Sequence, residues 1–308
     1  MTSPPEAPAA ASEARSQARA IAAFVLVTLI WGSTWLVIKD QISAVPSSWA
    51  VTWRFTVAAA GMFAFAALRR ERLALPREAW GLALVMGLFQ FFGNFQFVYR
   101  AEEHITSGLV AVLFALLLVP NAVLAWLFVG ARVGGRFVAG SAVALGGIAL
   151  LLAHEYRAAP AGGGAVLAGI GFTAAAIFCA SIANVLQATQ LARRQSVVVL
   201  IAWAMLAGAL ADAVFAWITA GPPVIDTSAR QLVGLAYLAI IGSVVTFPLY
   251  FALIRDWGPG KAAYNGVAVP VVAMLLSTLF EGYSWSLLAG AGAALAMVGL
   301  LISLSGRK

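Results

Sequence analysis

The chain has 308 residues, of which 62% are apolar and only 10% charged. Too few charged side chains remain to solvate the surface of a water-soluble domain, so that class is excluded and lipid must be the solvent. The net charge of +7 then marks membrane topology rather than nucleic-acid binding, and the lone Cys179 excludes an intrachain disulfide.

Residues 1–20 are rich in Ala, Pro and Ser, carry Arg15 and Arg19, and read as a disordered cytoplasmic tail. Ile21–Ile38 is longer than a signal-peptide core and no small-x-small cleavage site follows it, so it begins a permanent helix. About 20 helical residues cross a bilayer core. Cutting the chain at charged, Pro- or Gly-containing gaps predicts ten spans: 21–39, 48–68, 79–99, 105–128, 136–153, 164–190, 196–219, 230–254, 261–280 and 284–305. The predicted fold is an all-α polytopic membrane protein with one five-helix repeat over 21–153 and a second over 164–305. Placing both termini in the cytoplasm puts fourteen of the nineteen Lys and Arg residues on that side and four on the other, with Arg54 inside a span. A missed helix would scramble this bias.

An offset of 150 aligns Pro120 with Pro270, Ala139–Gly140 with Ala289–Gly290, and Ala144–Leu145 with Ala294–Leu295. Eight of forty-two positions between 111–152 and 261–302 are identical, and no gap is needed. Two related halves with an odd number of spans each must be oppositely oriented, so the repeat is expected to be inverted, the arrangement of carriers that work by alternating access.

Polar side chains inside spans mark candidate solute contacts. They are Ser33 and Thr34 in helix one, Gln90, Asn94 and Tyr99 in helix three, Asn184 in helix six, Ser243 and Tyr250 in helix eight, and Tyr264 and Asn265 in helix nine. Interhelical ties that merely hold the bundle together would use the same residue types. Pro120 and Pro270 each remove a backbone hydrogen bond and are expected to kink helices four and nine, as packing kinks or as gate hinges. Arg54 and Asp212 are the charges within spans. Three uses stay open for them: an ion bridge to each other, the carboxylate and ammonium of a zwitterionic solute, or a coupled proton at Asp212. Lys39 is expected to snorkel to the outer interface. Crowded aromatics in helices one to three, among them Trp31, Phe91 and Phe95, offer either a lipid-facing belt or the wall of an amphipathic pocket.

Several motifs resemble the drug/metabolite transporter superfamily, EamA type. They are Trp31-Gly32-Ser33-Thr34, Tyr99–Ala101 followed by Thr106-Ser107-Gly108, Tyr250-Phe251-Ala252-Leu253 followed by Gly258-Pro259-Gly260-Lys261-Ala262, and Pro270 followed by Glu281. Ala131 stands where the first repeat of that family places the matching Glu. The resemblance implies helices one to four and six to nine around a central cavity, with five and ten peripheral. It also implies export of amino acids, nucleotide-related metabolites or drugs, with the chain looking most like the YddG-type exporters of aromatic and other neutral amino acids. The expectation is thus a secondary carrier in a bacterial-type cytoplasmic membrane, with no cofactor, metal or nucleic acid. It would be a monomer, or a homodimer through the small residues of helices five and ten. A membrane-embedded enzyme would need clustered acids, His or metal ligands at one interface, and an ATP motor would need a phosphate-binding loop; the sequence displays neither.

Overall fold

In the computed structural model the described residues are 7–130, 134–158, 163–250, 253 and 265–305, and no strand occurs among them. Within a bilayer the helix is the element that satisfies its own backbone, and apolar runs of this length have no alternative. The helices are α1 (Ala7–Gln41), α2 (Ser47–Leu68), α3 (Arg77–His104), α4 (Ser107–Phe128), α5 (Gly135–Ala158), α6 (Gly163–Gln187), α7 (Val197–Ala220), α8 (Ala229–Tyr250), α9 (Asn265–Phe280) and α10 (Leu287–Ser305). The first eight are long and apolar enough to cross a membrane, while α9 and α10 are apolar but shorter.

Their boundaries follow local chemistry. Pro46 and Pro76 precede α2 and α3, and the hydroxyls of Ser196 and Ser228 accept from the Val199 and Gln231 amides (3.4 Å each) to cap α7 and α8. Gly130 and Gly221, at φ +70° and +76°, close α4 and α7 in conformations that a side chain resists. The start of α1 corrects the sequence expectation. The segment expected to be a disordered tail is helical from Ala7, because its Ala, Glu and Arg residues favour helix despite their polarity. Only from Gln17 onward is α1 apolar enough to cross.

Three helices depart from α geometry. Gly87–Gly93 of α3 and Tyr237–Val245 of α8 are wide π turns. The 150-residue offset sets Gly87 on Tyr237, so the two wide turns begin at the same point of each half. In α4 a tight 3-10 turn, Ala115–Leu117, lies just ahead of Pro120, where the proline ring crowds the Leu116 carbonyl. Pro270 sits inside α9 and leaves the Gly266 carbonyl without its helical partner.

Packing repeats the relation between halves. Contacts of α1 with α9 are matched by α6 with α4, and those of α3 with α6 by α8 with α1, while α2–α7, α4–α9 and α5–α10 map onto themselves. The α5–α10 contact is very close: a β-carbon on Gly140 or Gly299 would fall within 2.4 Å of the Ser303 or Ala144 amide nitrogen. Much of the small-residue face that could have made a homodimer is thereby consumed within the chain.

Candidate functional site

Arg54 lies two turns inside α2 and is 2% exposed. Its Nη1 donates to the Tyr99 hydroxyl of α3 at 3.4 Å and its Nη2 to the Ser243 hydroxyl of α8 at 3.5 Å, both long for hydrogen bonds. The guanidinium also lies against the rings of Phe95 (4.6 Å) and Phe55 (5.3 Å), and its Nε has no partner. The π turn of α8 brings Ser243 into reach, its own hydroxyl donating to the Leu238 carbonyl five residues back. Gly242 leaves room beside it: a β-carbon there would touch the Thr34 methyl at 2.9 Å and approach Arg54 Nη2 at 3.7 Å. The Trp31 indole donates to the Gly242 carbonyl (3.3 Å), and Tyr250 packs on Trp31 with ring centroids 5.0 Å apart. Four helices from both halves thus converge on one buried cation that is surrounded by neutral hydroxyls and aromatic faces.

The residues proposed from sequence fall into two groups. Thr34, Tyr99, Ser243, Tyr250 and Arg54 belong to this centre, and Ser33 joins its rim through a 2.6 Å bond to the Tyr237 hydroxyl. Others tie helices together: Asn184 donates to Asn121 across α6 and α4 (3.4 Å), and Asn265 donates to Thr28 across α9 and α1 (2.9 Å). Both ties join helix pairs that correspond between the halves. Gln90 and Asn94 are buried together in α3, the Asn94 amide donating to the Gln90 carbonyl at 3.3 Å. Tyr264 lies outside the described residues.

The ion bridge between Arg54 and Asp212 does not form. Asp212 is fully buried in α7, but its Oδ1 accepts from Gln96 Nε2 of α3 at 2.8 Å and its Oδ2 has no partner. Helix α3 presents Tyr99 to Arg54 and Gln96 to Asp212, so each charge meets a neutral group instead of the other. Lys39 also departs from expectation. It is half-buried and points into the protein, donating to the backbone carbonyls of Glu102 and of Ile105 (3.4 Å) at the C-terminal end of α3, where carbonyls lack helical partners.

That corner joins Glu281 and Ser107, both within motifs noted in the sequence, to Glu102, which the sequence reading did not single out. Glu281, at the end of α9, accepts from the Ser107 amide (3.2 Å) and hydroxyl (2.5 Å) at the N-terminus of α4. A cation therefore clamps the end of α3 and an anion the start of α4, each matching the local helix dipole. Between them Glu102 is fully buried and neither of its carboxylate oxygens has a hydrogen-bond partner. Glu102 adjoins Glu103 and His104 in sequence, so it read as loop charge; only its burial sets it apart.

The same end is closed by further ties between the halves. Asp40 pairs with Arg230, Gln41 donates to the Gln231 carbonyl (3.1 Å), and Trp49 and Trp53 donate to the carbonyls of Gly221 (3.3 Å) and Val224 (2.8 Å). A cleft of about 10 Å³ remains there, lined by Gln41, Ala50, Trp53 and Gln231 among others. Such a space holds about one water.

Two matching helical halves, tied at one end around a buried polar centre, define a membrane transporter. The EamA-like transporter family matches the chain twice, over residues 18–153 and 167–305, and the chain belongs to that family. It is therefore a multi-pass transporter of the drug/metabolite superfamily, as its sequence motifs suggested, and family membership points away from an enzyme. PagO of Salmonella typhimurium is 26% identical over 267 residues, covering 85% of each chain. The inner membrane transporter YedA of Escherichia coli is 28% identical over 260 residues, 84% of this chain and 81% of that one. A probable amino-acid metabolite efflux pump of Escherichia coli is 26% identical over 295 residues, 92% and 94% of the two chains. A solved crystal structure with 22% identity shares the fold, with a TM-score of 0.68 over 94% of this chain and 97% of that one.

Proposed function

We propose that this transporter is a secondary carrier that exports small metabolites bearing a carboxylate, foremost aromatic and other neutral amino acids, by alternating access. The observation that carries this reading is Arg54. A guanidinium with five donors, buried in a bundle with two long bonds to neutral hydroxyls and a free Nε, is short of an anion. A solute carboxylate would supply it bidentately. Phe55, Phe95 and Tyr99 offer an apolar wall suited to an aromatic or aliphatic side chain.

The odd number of helices per half and the contact pattern that exchanges the halves fit an inverted repeat rocking about this centre. Pro120 and Pro270 would serve as its hinges. With both termini in the cytoplasm of a bacterial-type cell, the tied Asp40 end faces outward and the monomer is the working unit. The efflux activity named for the amino-acid metabolite relative agrees with export.

Counterflow of radiolabelled L-phenylalanine in proteoliposomes tests the reading. Saturable exchange is expected, with competition by other neutral amino acids but not by L-phenylalaninamide, which lacks the carboxylate. Arg54→Gln should lower exchange at least tenfold. Equal competition by the amide, or full exchange by Arg54→Gln, would remove Arg54 from the solute site, and absence of flux for every amino acid would refute the substrate class.

A further inference from the structure

The helices that meet at the buried cation carry two complementary polar atoms without a partner. On α2 it is Arg54 Nε, a charged donor; on α3 it is Asn94 Oδ1, a neutral acceptor on a residue that is 2% exposed. The π turn of α3 sets up the second. Asn94 sends its backbone N–H to the Phe89 carbonyl, five residues back instead of four, while its side-chain amide donates to the Gln90 carbonyl at 3.3 Å. A flipped amide would set oxygen against oxygen, so Nδ2 stays on that carbonyl and Oδ1 is left as the open acceptor.

Contacts on both sides tie this turn to the cation. Asn94 directly precedes Phe95, whose ring lies 4.6 Å from the Arg54 guanidinium. Phe91, inside the same turn, packs on Phe55 of α2 (5.2 Å) and on Phe247 of α8 (5.9 Å). The matching π turn of α8 carries Ser243 to Arg54, and the 150-residue offset sets Ser243 on Gly93, next to Asn94. Gln90 lies just before Asn94 on the same side of α3; it is 8% exposed, and its side chain makes no hydrogen bond among the described residues. Gln96 also has an unpartnered oxygen, but it leaves the other flank of Phe95, about 200° around the helix from Asn94, and its amide is held by Asp212 of α7.

From this geometry we infer that Asn94, with Gln90 beside it, receives the ammonium group of the solute whose carboxylate Arg54 holds, so that the carrier selects α-amino acids over carboxylic acids lacking the amine. The inference rests on the reading of Arg54 as the carboxylate site. The two charged groups of an α-amino acid share one carbon, so the acceptor for the ammonium has to stand beside the donor for the carboxylate. Asn94 is one residue from a side chain that touches Arg54. An ammonium brings donors and no acceptor, and the amide oxygens of Asn94 and Gln90 match two of them. The rings of Phe91 and Phe95 border the same turn and tolerate a cation on their faces. A neutral amide accepts from the ammonium without pairing with Arg54 when the solute is absent, as a carboxylate at this position would.

Calorimetric binding to the detergent-solubilised full-length protein tests this with L-phenylalanine and with 3-phenylpropionate, which keeps the ring and the carboxylate but has no amine. The wild type should bind L-phenylalanine tighter by about tenfold or more, the difference made by a hydrogen bond to a charged group. Asn94→Leu should weaken L-phenylalanine by the same factor and leave 3-phenylpropionate unchanged, which also shows that the variant is folded. Gln90→Leu should shrink the preference in the same direction, and Asp212→Asn, on the other flank, should retain it. Equal binding of the two ligands by the wild type overturns the inference and leaves Arg54 as the carboxylate site. A preference that survives Asn94→Leu overturns it too, as does one that vanishes in Asp212→Asn, which would put the ammonium on α7. Binding of neither ligand by the wild type overturns this inference together with the carboxylate reading of Arg54. Should Asn94→Leu fail to fold, Gln90→Leu decides, and a preference equal to that of the wild type overturns the inference.

Discussion

Gly146 and Gly147 are neighbours in α5, yet the structure assigns them opposite sensitivities. A β-carbon on Gly147 would lie 2.3 Å from the Ala296 amide nitrogen and 2.6 Å from the Gly292 carbonyl oxygen of α10, whereas one on Gly146 would meet nothing within 4 Å. Restoring an ordinary contact of at least 3.4 Å at Gly147 demands a separation of roughly 1 Å between two helix backbones. Backbone cannot rotate away as a side-chain tip can, and separation also loosens the matching contacts at Gly140, Gly292 and Gly299. Overpacking of this kind costs about 1–3 kcal/mol, and the concerted loss along one interface places Gly147→Ala near the upper figure. Gly146→Ala should be neutral or stabilise by up to about 1 kcal/mol, because alanine favours helix. The assay is thermal unfolding of the detergent-solubilised protein followed by size-exclusion fluorescence. Gly147→Ala should melt several degrees lower, about 2–4 °C per kcal/mol, and Gly146→Ala within a degree or so of wild type. Equal melting of the two variants would refute the close approach of α5 and α10.

Other expectations follow from single contacts. Asp212→Asn retains an oxygen for the Gln96 amide and should transport and melt like wild type, while Asp212→Leu strands that amide and should cost about 1–3 kcal/mol by the same melting assay. Glu281→Gln removes the charge and one acceptor from the Ser107 clamp, at about 1–2 kcal/mol. Maleimide labelling of Ala50→Cys in a Cys179→Ser background should then accelerate severalfold, and an unchanged rate would show that the clamp does not hold that end shut. Pro270→Ala restores a donor for the Gly266 carbonyl and should leave stability equal or higher while slowing counterflow, whereas unchanged flux would exclude a hinge at that position.

Much of this architecture was readable because lipid simplifies the code. Apolar length and Pro, Gly or charged gaps located the helices, and the alignment of Pro120 with Pro270 disclosed the repeat that the family match repeats. The tail from Ala7 was misread because its polar and small residues resemble a disordered segment in composition while retaining high helix propensity. The matched π turns at Gly87 and Tyr237 had no sequence signature, since helix type depends on how neighbouring helices crowd the backbone.

By itself the sequence determined that the chain spans a membrane in two related halves, and which few polar and charged residues had to be kept from lipid. Partners were decided only by tertiary structure. Arg54 and Asp212 looked like a pair because they share charge complementarity and depth. Helix α3 instead gives one Tyr99 and the other Gln96, and it buries Glu102 between two helix-end clamps. Spacing along a helix fixes the direction of a side chain relative to its own axis, but the rotation and register of the neighbouring helices decide what it meets, and those are set by packing across the whole bundle.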